Sequence, residues 1–352
     1  MRHSLIRLLP LAVALFGSGA ANAQAPANDC HAVQDPAQRL ACYDRATGRP
    51  AAASAPASQS EGTVAAPAVP ASAITAPPAA GDEAPRRASL IDASWGFNPD
   101  SDRYPLKFYR SNYVLFGRYS DNVNNAPFTP LFNAAGIPDQ QLDSTEAKFQ
   151  LSGKLRFWTT EDRRWGLWAA YTQQNQWQVY SADTSRPFRE TNYMPELFAS
   201  YNPDLAWGDW RWGLANVGVV HQSNGRADPL SRSWDRVFAQ FGVENGNLAI
   251  FLKLWSRISE SDEKDDNPDI TDYYGYGEID AIYRWRGHSF TGSLRGNVGT
   301  GKGALQLGWF SPPLLGTIRG YLQVFSGYGE SMIDYNWRQT TVGIGIALSD
   351  GL

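Results

Sequence analysis

Little in this sequence could hold a transition metal or act as a histidine base. There are four His, two Cys and three Met in 352 residues, which by number alone excludes His-rich metal centres. A basic field is also missing: 31 Lys and Arg stand against 35 Asp and Glu, a net charge of −4, so nothing draws the chain to nucleic acid. Long hydrophobic runs are absent too. The stretch from Leu8 to Phe16 is too short to span a bilayer, and no later window reaches the roughly 18 apolar residues a spanning helix needs, which excludes a helical membrane protein. What is abundant is aromatic and glycine: 13 Trp, 16 Tyr, 16 Phe and 32 Gly favour β-structure, where rings fit a pleated surface and glycines serve turns.

Arg2, His3 and Arg7 precede the apolar stretch, and Ala21-Asn22-Ala23 offers small residues where a signal peptidase cuts. Residues 1–23 are therefore expected to be an export signal. Cys30 and Cys42, the only cysteines, lie in the short segment 24–47 and are expected to pair in an oxidising compartment; a metal reading would need more ligands than His31 adds. Residues 48–88 are rich in Ala, Pro and Ser and too poor in large apolar side chains to offset the entropy of ordering, so they read as a linker. Residues 89–352 remain as one aromatic-rich domain.

Along this domain the apolar pattern has a period of two over segments longer than ordinary globular strands. Phe149, Leu151, Leu155 and Phe157 share one face, with Lys148, Gln150, Ser152, Lys154 and Arg156 on the other. Leu252 and Leu254 oppose Lys253, Trp255 and Arg257; Leu322 and Val324 oppose Arg319, Tyr321 and Gln323; Val342, Ile344, Ile346 and Leu348 end the chain in the same way. A soluble sandwich would turn the charged face to water. Strand length, aromatics near strand ends and the export signal favour an all-β, antiparallel outer-membrane barrel with an apolar exterior and a polar lumen. Twelve strands are expected, near 107–118, 145–158, 164–179, 190–201, 209–223, 231–244, 247–258, 272–285, 288–299, 302–311, 314–326 and 335–348. Short turns are expected around Glu161, Asn245, Gly287 and Ser311-Pro312-Pro313, on the periplasmic side, and the longer connections outside. The link between the fifth and sixth strands is then external, and the segment before the barrel is periplasmic.

The fifth strand carries Val217, Val219, His221 and Ser223 on one face, and the sixth carries Asp235, Val237, Ala239 and Phe241 on one face. His221 and Asp235 lie symmetrically about Asp228 and are expected to be cross-strand neighbours, with Cβ atoms about 5 Å apart. A hydroxyl, an imidazole and a carboxylate would then sit on the barrel exterior at its outer rim, the set needed for a serine nucleophile, its base, and the group that orients the base. The bland alternative is a polar rim where strands leave hydrocarbon. A nucleophile facing lipid implies a substrate from the membrane, hence a lipid esterase; the rival is a non-catalytic barrel, such as a small channel or an adhesive protein. The loop Asn224-Gly225-Arg226-Ala227-Asp228-Pro229-Leu230-Ser231 offers amides for an oxyanion and hard oxygens suited to Ca²⁺, although any turn uses the same residues.

At His221-Gln222-Ser223-Asn224-Gly225-Arg226, Asp228-Pro229 and Ser231-Arg232-Ser233-Trp234 the chain resembles the outer-membrane phospholipase A family. The likeness continues in Pro187-Phe188-Arg189-Glu190-Thr191-Asn192-Tyr193, Glu244-Asn245-Gly246-Asn247, Asp266-Asn267-Pro268-Asp269-Ile270-Thr271 and Ser326-Gly327-Tyr328-Gly329-Glu330-Ser331. The resemblance implies a twelve-stranded barrel that hydrolyses phospholipids and lysophospholipids at either acyl position (phospholipase A1 and A2), depends on calcium, and is activated as a homodimer. It implies Ser223 as nucleophile and His221 as base. It implies the Arg226 carbonyl, the Ser231 hydroxyl and Ser185 of the partner subunit at one calcium ion, with Asp228 and Asp266 at a second calcium position, and Gln173 at the dimer interface. Asp235 stands where the family usually has Asn, so a changed pH dependence is expected, and the terminal Leu352 replaces the aromatic usual in such barrels.

Overall fold

The computed structural model describes residues 30, 33–35, 38, 39, 42, 89–182, 185–261 and 265–352. The export signal 1–23 and the linker 48–88 lie outside the described residues. Two compact units are present, residues 1–79 and 80–352. In the first, Cys30 and Cys42 form the expected disulfide, with Cα atoms 5.7 Å apart.

The second unit is a closed antiparallel barrel. Its strands are β1 (Leu106–Phe108), β2 (Asn112–Ser120), β3 (Thr145–Thr159), β4 (Trp165–Trp177), β5 (Phe188–Tyr201), β6 (Leu205–Trp207), β7 (Trp210–Ser223), β8 (Ser233–Asn245), β9 (Leu248–Ile258), β10 (Gly277–Trp285), β11 (His288–Asn297), β12 (Lys302–Leu315), β13 (Ile318–Tyr328) and β14 (Arg338–Ser349). β1 and β6 are three-residue additions; the other twelve pair in sequence order, β14 pairs with β2, and the ring has no free edge. Closure satisfies every ladder without water, which a span through hydrocarbon requires. Two-residue turns at 246–247, 286–287 and 316–317 share one end with both domain termini, while the connections 121–144, 178–187, 224–232, 259–276 and 329–337 gather at the other.

Side-chain parity runs as the sequence pattern requires. Leu151, Leu155, Phe157, Val217, Leu254, Val324 and Ile344 are exposed on the outer wall, while Lys148, Lys154, Arg156, Lys253 and Gln323 are buried inside. The lumen is filled from both ends. α1 (Leu90–Trp95), capped by Ser89 and ended by Gly96 in the left-handed region, inserts Ile91 and Trp95 from the terminal end. Its Ile91 amide donates to Glu244 Oε2 at 3.0 Å, and Arg211 bonds Asp92 at 2.8 Å. The loop between β13 and β14 brings Met332 and Tyr335 to the same aromatic cluster. The outer loops also carry α2 (Thr129–Ala134) and α3 (Ile270–Tyr274).

Three expectations need correction. The strand expected at 107–118 is broken at residues 109–111, where Tyr109 turns inward to Trp95 and Phe198 and β1 pairs with β3 instead. The strand expected at 272–285 starts at Gly277, because α3 buries Ile270 and Tyr274 in the lumen and ends at Gly275. There φ is +67° and a Cβ would meet the Gly296 carbonyl at 1.8 Å, so only glycine fits. The turn expected at Ser311-Pro312-Pro313 lies instead after Leu315; the prolines, lacking a ladder donor, sit in a register shift within β12.

Candidate active site

β7 and β8 form the hairpin that carries the expected triad. Val219 and Val237 pair in register, then His221 with Asp235, then Ser223 with Ser233. Parity sends His221, Ser223 and Asp235 outward, above the exposed Val217, Val219 and Val237. The imidazole Nδ1 lies 2.8 Å from Asp235 Oδ1, and the two side chains are 47% and 44% exposed on the outer wall. A carboxylate at Nδ1 fixes a proton there and leaves Nε2 as the free base. Ser223, two positions on, faces the same way; among the described residues no hydrogen bond yet joins its hydroxyl to the ring, a looseness common in unliganded sites.

The other face of the hairpin is locked. Gln222, pointing inward between His221 and Ser223, accepts from Trp234 Nε1 at 3.1 Å and from Arg236 at 2.8 Å. Trp234 is wholly buried, so the residues between the outward groups are pinned from inside the barrel.

The loop 224–232 is organised by Asn224, which is 3% exposed. Its side-chain amide donates to the Leu230 carbonyl at 2.8 Å, its Oδ1 accepts the Arg232 and Arg226 amides, and its own amide donates to the Arg232 carbonyl. Of the amides just after Ser223, the Gly225 N–H is therefore the first in sequence without a partner among the described residues. Gly225 has φ +64°, and a Cβ there would meet the Tyr193 ring at 2.9 Å; Tyr193 itself pairs with Ser223 across β5 and β7. Neither Asn224 nor Gly225 was singled out from sequence, though both lie in the motif.

Of the residues expected at calcium, two are brought together: the Ser231 hydroxyl donates to the Asp266 carboxylate. Arg226 lies over Phe128, sends its guanidinium to the Phe188 and Arg189 carbonyls and pairs with Glu190 at 3.4 Å; separately, its backbone carbonyl accepts no backbone hydrogen bond among the described residues. Asp228 is exposed at a cis bond to Pro229. Ser185 is exposed on the 178–187 loop and shares no hydrogen bond with Ser231 or Asp266 within the chain. Among the described residues no cluster of three His, Cys, Asp or Glu suits a metal; the donors here are hard oxygens, mostly neutral, with Asp266 as the adjoining charge. Gln173 lies on the outer wall, accepting from Tyr171 Oη and donating to Asn175, both at 3.0 Å.

Comparison with known proteins converges on one family. The phospholipase A1 family profile matches residues 95–348. The phospholipase A1 of Escherichia coli K12 is 38% identical over 70% of this chain and 82% of its own length. A Neisseria meningitidis serogroup B relative with the same family description is 35% identical over 99% of this chain and 96% of its own length. Among solved structures, outer membrane phospholipase A from E. coli superposes with a TM-score of 0.64 at 37% identity, covering 70% of this chain and 98% of that one. The Salmonella typhi outer membrane phospholipase dimer with bound calcium gives a TM-score of 0.66 at 36% identity, covering 76% and 99%.

Proposed function

The chain belongs to the phospholipase A1 family, a carboxylic ester hydrolase of the Gram-negative outer membrane, and from that premise we propose that Ser223, His221 and Asp235 carry out acyl-ester hydrolysis on the outer wall of the barrel. The observation that carries this reading is the 2.8 Å His221–Asp235 pair, outward-facing and in register with Ser223.

The chemistry follows from the positions. Ser223 Oγ attacks the ester carbonyl carbon while its proton passes to His221 Nε2. Asp235 holds the Nδ1 proton and offsets the charge that the ring acquires. The protonated ring then gives its proton to the departing glycerol or lysolipid oxygen, leaving an acyl-serine. Water, deprotonated by the same ring, releases the fatty acid and restores Ser223. The Gly225 amide, two residues past Ser223, is the backbone donor proposed for the oxyanion. Because the set faces lipid, the substrate enters from the outer leaflet without crossing the barrel wall; the family resemblance implies reaction at either acyl position and on lysophospholipids.

The residues fit a calcium ion. The Arg226 carbonyl, the Ser231 hydroxyl and Ser185 of the partner subunit would hold one, and Asp228 with Asp266 a second, in keeping with the calcium in the S. typhi dimer structure. Calcium bound there supplies positive charge to the carbonyl oxygen of the ester. A site needing both subunits makes the homodimer the active form, with Gln173 at the contact.

Hydrolysis of a detergent-dispersed phospholipid, with Ca²⁺ and with chelator, tests the reading on wild type and Ser223→Ala. Activity should require Ca²⁺ and vanish in the variant; activity retained in Ser223→Ala would remove the nucleophile assignment. Dilution into excess detergent should lower activity per chain, and a flat response would contradict the dimer step.

A further inference from the structure

The charges inside the barrel fall into two groups of different balance. Toward the outer loops, Arg118, Lys148 and Arg189 face Glu146, Glu330 and Asp334, and each cation has a carboxylate within 3.0 Å. Behind the catalytic hairpin, Arg110, Arg236, Lys253 and Arg295 face Glu196, Glu278 and Asp280, and a further carboxylate on the cavity wall, Glu330, is already shared by Arg118 and Lys148. Lys253 takes Glu196 at 2.6 Å, and Arg110 lies 3.6 Å from Glu278 and 3.9 Å from Glu196. Among the described residues, Arg236 and Arg295 have no carboxylate within ion-pair distance.

Arg236 is 6% exposed. One of its terminal nitrogens goes to Gln222, while its buried Nε has no partner among the described residues. The Trp234 ring lies 3.9 Å away and the Trp255 ring 5.4 Å away, but ring faces do not accept the in-plane N–H groups of a guanidinium. Arg295 gives one nitrogen to the Tyr328 and Gly329 carbonyls, and its buried Nε likewise has no partner among the described residues. Both arginines line a cavity of about 110 Å³ whose wall includes Lys253, Gln222, Glu278 and Glu330. A larger cavity of about 210 Å³ shares Arg110, Arg295 and Glu278 with it and reaches Asp350 and Leu352 at the terminal end.

Water could satisfy these N–H groups but not the surplus charge, and an uncompensated buried guanidinium is costly. We propose that the lumenal cavity between Arg236 and Arg295 is an anion site, occupied by one small halide or oxyanion that enters from the terminal end of the barrel. The bound anion completes the charge balance and braces, through Arg236 and Gln222, the inner face of the hairpin whose outer face carries His221, Ser223 and Asp235. This site stands independently of the hydrolytic reading, since it rests on interior charge alone.

Bromide is the probe, because it scatters anomalously. Crystals of the full-length detergent-solubilised protein exchanged into NaBr should give an anomalous peak between Arg236 and Arg295. Thermal unfolding in NaBr should exceed that in sodium isethionate of equal ionic strength by about 2–4 °C for a site near saturation. Arg236→Gln and Arg295→Gln should each lose the peak and the difference in Tm. Ordered water alone at the wild-type site, with equal Tm in the two salts, would overturn the proposal, as would a lumenal bromide retained in both variants.

Discussion

The two faces of the β7–β8 hairpin are built to opposite rules. Outside, His221 and Asp235 are nearly half exposed and share a single hydrogen bond. Inside, Gln222, Trp234 and Arg236, interleaved with them in sequence, are tied to one another within 3.1 Å. Alternation along a strand lets one segment hold a sparse, accessible set, here the proposed reactive one, and a packed support together. Loss of an outer group should therefore cost reaction rate with little stability, and loss of an inner group the reverse.

The largest expected effect on the outer side is His221→Ala. Hydrolysis should fall on the order of 10⁴-fold or more, as for other nucleophile–base pairs, while the unfolding midpoint in detergent stays at the wild-type value. An equal loss of both would erase the distinction between faces. On the inner side, Glu146→Ala strips Arg118 and Arg189 of partners at 3.0 and 2.9 Å. Breaking such a buried pair should lower stability by about 3–5 kcal/mol, measured by urea unfolding, with the specific activity of the folded fraction kept.

Asp235 sharpens the comparison. Asp235→Asn preserves an oxygen acceptor for His221 Nδ1–H and should keep activity within about tenfold, whereas Asp235→Ala removes the orienting group and should cost about 10²-fold or more in kcat. Similar losses in the two variants would mean that the charge, not the orientation, matters.

The smallest effect concerns Asp350, just past β14, which bonds Arg284 at 2.8 Å and Ser289 at 2.6 Å. Burial works against its charge, but these contacts outweigh burial and hold the carboxyl below its ordinary value. Its contribution to stability is therefore complete above the unfolded aspartate pKa, about 3.9, and is lost as pH falls from there through the lower folded value. The gap in Tm between wild type and Asp350→Asn should be constant from pH 7 to 5 and close below about pH 4. A gap that widens in acid would reverse the assigned direction.

Much of this was legible in advance, for a physical reason. A two-sided strand between hydrocarbon and a polar lumen must alternate, so Lys148, Lys154 and Arg156 marked the interior and Leu151, Leu155 and Phe157 the wall. The same alternation fixed His221 and Ser223 outside, and the symmetry about Asp228 gave the His221–Asp235 register. What stayed hidden depends on contacts distant in sequence. The inward turn of Tyr109, the insertion of α1 against Arg211 and Glu244, and the helical turn at Ile270 are set by the space inside the closed ring, which no local pattern encodes. Ser311-Pro312-Pro313 reads as a turn by composition, yet β12 absorbs the prolines in a register shift because their missing N–H groups cost nothing there. The residues expected at calcium were legible only through family resemblance, since oxygen donors in a turn look like any turn.

The central claim is an outward Ser223 made nucleophilic by His221, and covalent trapping tests it most directly. The detergent-solubilised enzyme treated with a long-chain alkylsulfonyl fluoride and mapped by peptide mass should carry one adduct per chain, on Ser223, and His221→Ala should not be labelled. Full inactivation with the adduct on another residue, or undiminished hydrolysis with Ser223 modified, would contradict it.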